Sequence, residues 1–232
     1  MRERLSEGNR FAFDRLRAGR WGRYTDASAL CRDHFRLRSE SDHVNYASFA
    51  YLVELMGGRP QTILETGVSA WGTDSTRLFD SYTRSFGGSL WSVDIDGERV
   101  ERLRRHVASS TTLGCDDSVA FLERWVVDHP DARADVVYLD SFDVDFSDPL
   151  PAAEHCLREV QAVLPALKAG ALLLIDDSPA CLDDVPENAR ASASTIFAEF
   201  GAWPGKGMLA QRFLANRGVT PIRHGYQALY RM

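Results

Sequence analysis

The sequence predicts an α/β protein: a doubly wound, seven-stranded sheet, mostly parallel, with a C-terminal antiparallel hairpin and a set of N-terminal helices. Three observations carry this. From residue 62 onward, five short apolar runs at 62–66, 90–95, 111–113, 136–139 and 171–175 alternate with helical segments, which implies parallel strands joined by right-handed crossovers. Those runs are continuously apolar rather than alternating, as suits strands buried on both faces. Two further runs, 219–223 and 226–230, are separated only by His224 and Gly225, too little chain for a crossover helix but enough for a hairpin.

Taken in order, residues 1–56 carry helical spacing. Phe49, Leu52, Val53 and Met56 fall at i, i+3, i+4 and i+7 on one helix face, and Gly57 with Gly58 stops it. We therefore divide the chain into a helical extension or lid, 1–58, and a Rossmann-like domain, 59–232. That domain opens on 62–76, TILETGVSAWGTDST, an apolar strand that ends in Glu65 and breaks into a turn bearing Gly67 and Gly72. A helix start follows, so backbone amides there face whatever small molecule sits at the strand's end. The spacing is not G-x-G-x-x-G, because Ser69 stands where the second glycine would be. The helix after Asp96 places Val100, Leu103 and Val107 on one side, and the one before Gly170 places Leu157, Val160, Leu164 and Leu167 there. The stretches 141–151 and 178–187 are acidic, proline-containing loops, each following a strand.

With 232 residues, 44% of them apolar, the chain can bury one substantial core. A formal charge of -6 and a pI near 5.5 argue against nucleic acid as the main partner. Cys31, Cys115, Cys156 and Cys181 form no C-x-x-C pair, so reduced thiols are expected rather than a zinc site or a disulfide framework. The N-terminus carries no apolar run of signal length, and nowhere do about 18 apolar residues run together. A cytoplasmic protein without a membrane partner is the expectation.

In an open parallel sheet ligands sit beyond the carboxyl ends of the strands. Here those ends carry acids: Glu65, Asp94 with Asp96, Asp116 with Asp117, Asp140, and Asp176 with Asp177. One such acid is often a helix cap. Five strand ends in succession ask for more. Strands four and five are neighbours in a doubly wound sheet, so Asp140, Asp176 and Asp177 converge and, unpaired, would raise one another's pKa. A hard divalent cation that prefers oxygen ligands resolves the conflict, and magnesium would hold two substrate oxygens as well. In the alternative, Asp176 or Asp177 caps the following loop and binds no metal. Lys206, in GKG, fails the phosphate-loop pattern on spacing and on the missing hydroxyl after the lysine. His43, His155 and His224 are lone base candidates, while Trp71 and Trp91 flank the first strand's turn or simply pack.

These residues resemble the class I S-adenosylmethionine-dependent methyltransferases over about residues 60–232, leaving the N-terminal helices outside. The resemblance implies that Glu65, Gly67, Ser69, Gly72 and Ser75 hold the methionine part of the cofactor. Asp94 in LWSVDID would take the ribose hydroxyls, and Asp117 and Ser118 in GCDDSVAFL would contact adenine. More narrowly, ILETGV, YLDS and LLLIDDS are similar to the metal-dependent O-methyltransferases, the group of catechol O-methyltransferase and the macrocin-type sugar O-methyltransferases. There one metal acid follows the fourth strand and an adjacent pair follows the fifth, matched by Asp140, Asp176 and Asp177. The first loop departs, with one residue more between Gly67 and Gly72. Three residues after the metal acid catechol O-methyltransferase carries a lysine base; Asp143 stands here, and the macrocin-type enzymes also place an acid near this point. Asp143 is thus the implied proton acceptor once the metal has acidified the hydroxyl, with solvation of an acidic loop as its other reading. The implied function is S-adenosylmethionine- and magnesium-dependent O-methylation of a small hydroxylated molecule, by a monomer or homodimer. Metal-independent N- or C-methylation and nucleoside binding without catalysis are the alternatives.

Overall fold

The computed structural model describes residues 23–38, 43–68 and 73–232. Two helices come first, α1 (Ala27–Arg38) and α2 (Tyr46–Met56). The α2 helix buries Phe49, Leu52, Val53 and Met56, the face its spacing predicts. Gly57 ends it at φ 65°, donating its N–H to the Val53 carbonyl.

The strands β1 (Gln61–Thr66), β2 (Gly88–Asp94), β3 (Thr111–Cys115), β4 (Ala134–Leu139) and β5 (Leu167–Ile175) are parallel. The last two, β6 (Pro221–His224) and β7 (Ala228–Arg231), run antiparallel, and all seven form one sheet in the order β3-β2-β1-β4-β5-β7-β6. Crossovers are made by α3 (Ser75–Phe86), α4 (Gly97–Arg104), α5 (Ser118–Asp128) and α6 (Leu150–Val163). After β5 the chain passes through α7 (Arg190–Phe200) and α8 (Met208–Ala215) before the hairpin. The path runs outward from β1 to β3 and then returns to β4 on β1's other side, so the strand order reverses between β1 and β4. The crevice at that reversal is where such sheets bind ligands.

Alternate strand residues feed two cores. Ile63, Val136, Tyr138, Leu172, Leu174 and Leu229 pack with α1, α2 and α3 on one face. Leu64, Val137, Leu139, Leu173, Ile175 and Tyr230 pack with α5, α6 and α8 on the other. Each fully buried side chain of this size contributes about 1.5–3 kcal/mol, which is why the runs are continuously apolar. The helices α1 and α2 share the first core with the sheet itself, and so cover one of its faces.

One predicted helix face differs. In α6 the inward side is Ala153, Cys156, Val160 and Val163, with His155 and Glu159 also buried. Leu157 is only half-buried, Leu164 lies in a 3-10 turn, and Leu167 already begins β5. Apolar spacing alone misplaces this face because two of its buried positions are polar.

Candidate functional site

At the carboxyl end of β1, Glu65 is fully buried. The Ser92 hydroxyl donates to its Oε2 at 2.5 Å, while Oε1 has no partner among the described residues. Burial pushes the Glu65 carboxyl up to about 7, against the hydroxyls of Ser75, Ser92 and Thr76, which favour its charge. Ser75, the first residue of α3, is buried close by without itself meeting hydrogen-bond geometry. Gly67 then turns at φ 87°, and a Cβ there would lie 2.0 Å from the Asp140 carbonyl oxygen, so only glycine lets the β1 and β4 loops touch. Ser69, Trp71 and Gly72 lie outside the described residues.

At the end of β2, Asp94 Oδ2 accepts the Val68 amide at 2.9 Å and Arg99 at 3.3 Å, and Oδ1 accepts the Asp96 amide at 2.8 Å. Its carboxylate thus ties the β1 turn to the β2 loop. Asp96 caps α4 and Asp117 caps α5, the latter accepting the Ala120 amide at 3.0 Å. Ile95, which its apolar run places in the second strand as a buried residue, instead lies just past β2 and is 78% exposed, because the strand ends at Asp94. Ser118 is buried. Its hydroxyl meets His155 Nε2 at 2.8 Å and donates to the Ser141 hydroxyl at 3.2 Å, which in turn donates to Glu159 at 2.7 Å. Arg158 engages the other ring nitrogen of His155 at 3.2 Å. His224 Nε2 lies 2.9 Å from the Ser178 carbonyl, and His43 Nδ1 accepts the Asn45 amide at 3.2 Å. Asp143 is exposed on the loop after β4.

Asp140, Asp176 and Asp177 do come together, because Leu139 and Ile175 are in register at the ends of β4 and β5. The Tyr138 hydroxyl stands between two of them, 2.7 Å from Asp176 Oδ2 and 3.0 Å from Asp140 Oδ2. Asp176 is otherwise held by neutral donors: the Asp177 amide at 2.9 Å, Gln227 at 2.8 Å and Asn45 at 3.4 Å. Tyr226 donates to Asp177 Oδ1 at 2.6 Å. The remaining oxygens of the outer pair meet a cation of the chain itself. Lys206 Nζ lies 2.6 Å from Asp140 Oδ1 and 3.3 Å from Asp177 Oδ2.

Burial raises all three carboxyls, Asp176 to about 6, with Asp140 adding to the rise and Lys206 opposing it. Burial alone would depress the lysine, yet Asp140, Asp177 and Asp176 outweigh it and hold the ammonium well above the usual range. Among the described residues no group of three or more His, Cys, Asp or Glu is arranged to hold a metal ion. The contacts around the three carboxylates point the same way. Asp176 has its oxygens spent on four neutral donors. A divalent ion within about 4 Å of the Lys206 ammonium would meet a repulsion of roughly 8 kcal/mol at an effective dielectric constant near 20. The donor set as arranged does not fit magnesium. Lys206 fails the phosphate-loop pattern, and the signal that finds it is the need of three converging carboxylates for a cation.

The strand order and the terminal antiparallel hairpin are the fold of solved methyltransferase structures. Solved structures of this fold include the MycE methyltransferase from the mycinamycin biosynthetic pathway, in complex with Mg, S-adenosylhomocysteine and mycinamycin VI. It is 16% identical over 97% of this chain and 59% of that one, with a TM-score of 0.59, so the chain spans well under two thirds of its length. CalS11, a TDP-rhamnose 3'-O-methyltransferase in calicheamicin biosynthesis, is 16% identical over 99% of this chain and 96% of that one, with a TM-score of 0.56. The O-methyltransferase TomG from Streptomyces achromogenes, involved in tomaymycin synthesis and in complex with S-adenosylmethionine, is 16% identical over 99% of both chains, with a TM-score of 0.50. At such identities the likeness is one of fold. No protein-family model matches the sequence, and no curated protein matches it.

Proposed function

We propose that the chain is an S-adenosylmethionine-dependent methyltransferase that methylates an oxygen of a small hydroxylated molecule. The observation that carries this is Glu65: a fully buried carboxylate at the strand-order reversal with one oxygen unpartnered among the described residues. Among the described residues only hydroxyls favour its charge and no cation does, so the amino group of the cofactor's methionine part suits it as a partner. Asp94 stands at the β2 end for ribose hydroxyls, and exposed Ile95 offers an apolar surface to a ring. The bound nucleosides in the MycE and TomG structures, and the oxygen chemistry in the names of CalS11 and TomG, support the same reading.

When bound, the cofactor supplies a sulfonium-activated methyl group, which the acceptor oxygen takes while sulfur keeps the bonding pair. The chain's own task is alignment, since positioning dominates such a displacement. The resemblance makes Asp143 the proton acceptor for a hydroxyl that a metal has first acidified; with no metal step this exposed carboxylate on the β4 loop is too weak a base, and we assign the acceptor's proton to water. Magnesium, expected from the resemblance, has no step here.

Isothermal calorimetry with S-adenosylmethionine and S-adenosylhomocysteine, followed by a panel of hydroxylated acceptors scored for S-adenosylhomocysteine release, tests the assignment. Binding of both nucleosides and release with at least one acceptor are expected. Binding of neither, with NADH bound instead, overturns it. Nucleoside binding without turnover across the panel would leave a binding protein.

A further inference from the structure

The Gly205-Lys206-Gly207 segment, which precedes α8, is built tightly into the carboxylate cluster. Lys206 is 1% exposed, and its ammonium bridges Asp140 and Asp177 at 2.6 and 3.3 Å. A Cβ on Gly205 would lie 2.3 Å from the Asp177 carbonyl oxygen and 2.8 Å from Pro179 Cδ; one on Gly207 would lie 2.0 Å from Ser178 Oγ. Both glycines therefore press directly against the loop after β5, and the lysine between them is buried. The loop answers in kind: Asp177 sits at φ 42°, a conformation that side chains rarely adopt, with Tyr226 fixing its other oxygen at 2.6 Å.

We propose that the Lys206 ammonium is a permanent, chain-supplied cation at the place where the resembling enzymes carry a divalent ion, so that this site functions without metal. A single tethered charge joins the β4 and β5 loops as a metal would. Unlike a metal, it cannot gather two acceptor oxygens into one coordination sphere. The acceptor must then be held by surrounding side chains, and the metal-assisted acidification of its hydroxyl is absent. The functional consequence rests on the proposed methyl transfer; the structural claim does not.

The test separates the two. Chelator-treated wild-type protein is titrated with Mn²⁺, followed by paramagnetic resonance and by melting temperature, with S-adenosylmethionine affinity measured separately. Wild type is expected to bind no Mn²⁺ and to hold the nucleoside equally with Mg²⁺ or EDTA. Lys206→Met removes the charge and frees Asp140 Oδ1 and Asp177 Oδ2, while Asp176 keeps its neutral donors, so this variant is expected to gain Mn²⁺ binding through those two oxygens and to melt higher in its presence. Lys206→Arg is expected to remain without the ion. One Mn²⁺ bound stoichiometrically by wild type overturns the inference, as does a folded Lys206→Met that binds none. If that variant does not fold, the wild-type titration decides. Failure to bind S-adenosylmethionine would overturn the methyltransferase reading and leave the Mn²⁺ result to judge Lys206 alone.

Discussion

Glu65 gives the site a built-in pH dependence. Its carboxyl rises from 4.5 to about 7 in the fold because burial opposes its charge. For an acid raised in this way the folded state holds the proton more tightly, so its contribution is greatest below about 4.5 and is lost as pH rises through 7. At 1.36 kcal/mol per unit the loss is about 3 kcal/mol. Glu65→Gln should flatten the fall of melting temperature across that window, in part, since the raised Asp176 adds a fall of the same sign. A cofactor ammonium that partners Glu65 would offset this cost, so the melting-temperature gain from S-adenosylmethionine should grow as pH rises through 7. A gain independent of pH would remove Glu65 from the cofactor site. Asp94→Ala should weaken nucleoside binding by about 1–3 kcal/mol in calorimetry, the usual cost of losing an acceptor for a ligand hydroxyl. Acids at strand ends are legible in sequence because so few other roles explain five in succession. Lys206 was not legible, since its partners lie 66 and 29 positions away and only the folded sheet brings them together.

At the scale of elements, close loop contact makes glycine obligatory. Gly67→Ala must place a Cβ on the Asp140 carbonyl while holding a positive φ, so it should cost at least about 1–3 kcal/mol in urea denaturation and lower cofactor affinity with it. Near wild-type stability would mean that the β1 and β4 loops separate more readily than their contact suggests. Phe49, fully buried on α2 with its ring 5.1 Å from that of Tyr138, should cost about 3–5 kcal/mol when truncated to alanine. The α2 face was readable because every inward position the spacing picks out is apolar. The α6 face was not, because His155 and Glu159 are buried polar members of a network with Ser118 and Ser141. Where a helix buries hydrogen-bonding groups toward a site, hydrophobic periodicity loses its phase.

For the molecule as a whole, a ligand that binds only the folded state must raise its melting temperature, by about 2.7 kcal/mol of added stability at a hundredfold excess over Kd. S-adenosylhomocysteine should do this, and no shift by either nucleoside would disconnect the fold from the cofactor. The strand order and the terminal hairpin were legible because strands covered on both faces must be apolar and a short gap admits only a hairpin; the bounds were less so, since the hairpin strands lie at 221–224 and 228–231 with three residues between them and β6 is largely exposed. How α1 and α2 sit was not: their helical pattern says which face is buried and nothing of what buries it.

The core that receives those helices has a further consequence, in the order of synthesis. Phe49 and Leu52, early in the chain, share it with Leu229, on the strand inserted between β5 and β6. A growing chain can pair β1 to β5 as they emerge, but it cannot complete the first helical face until residues 228–231 have left the ribosome. Until then α1 and α2 present apolar surface with part of its partner unmade, and a ribosome stalled before Ala228 holds a species open to aggregation or chaperone capture.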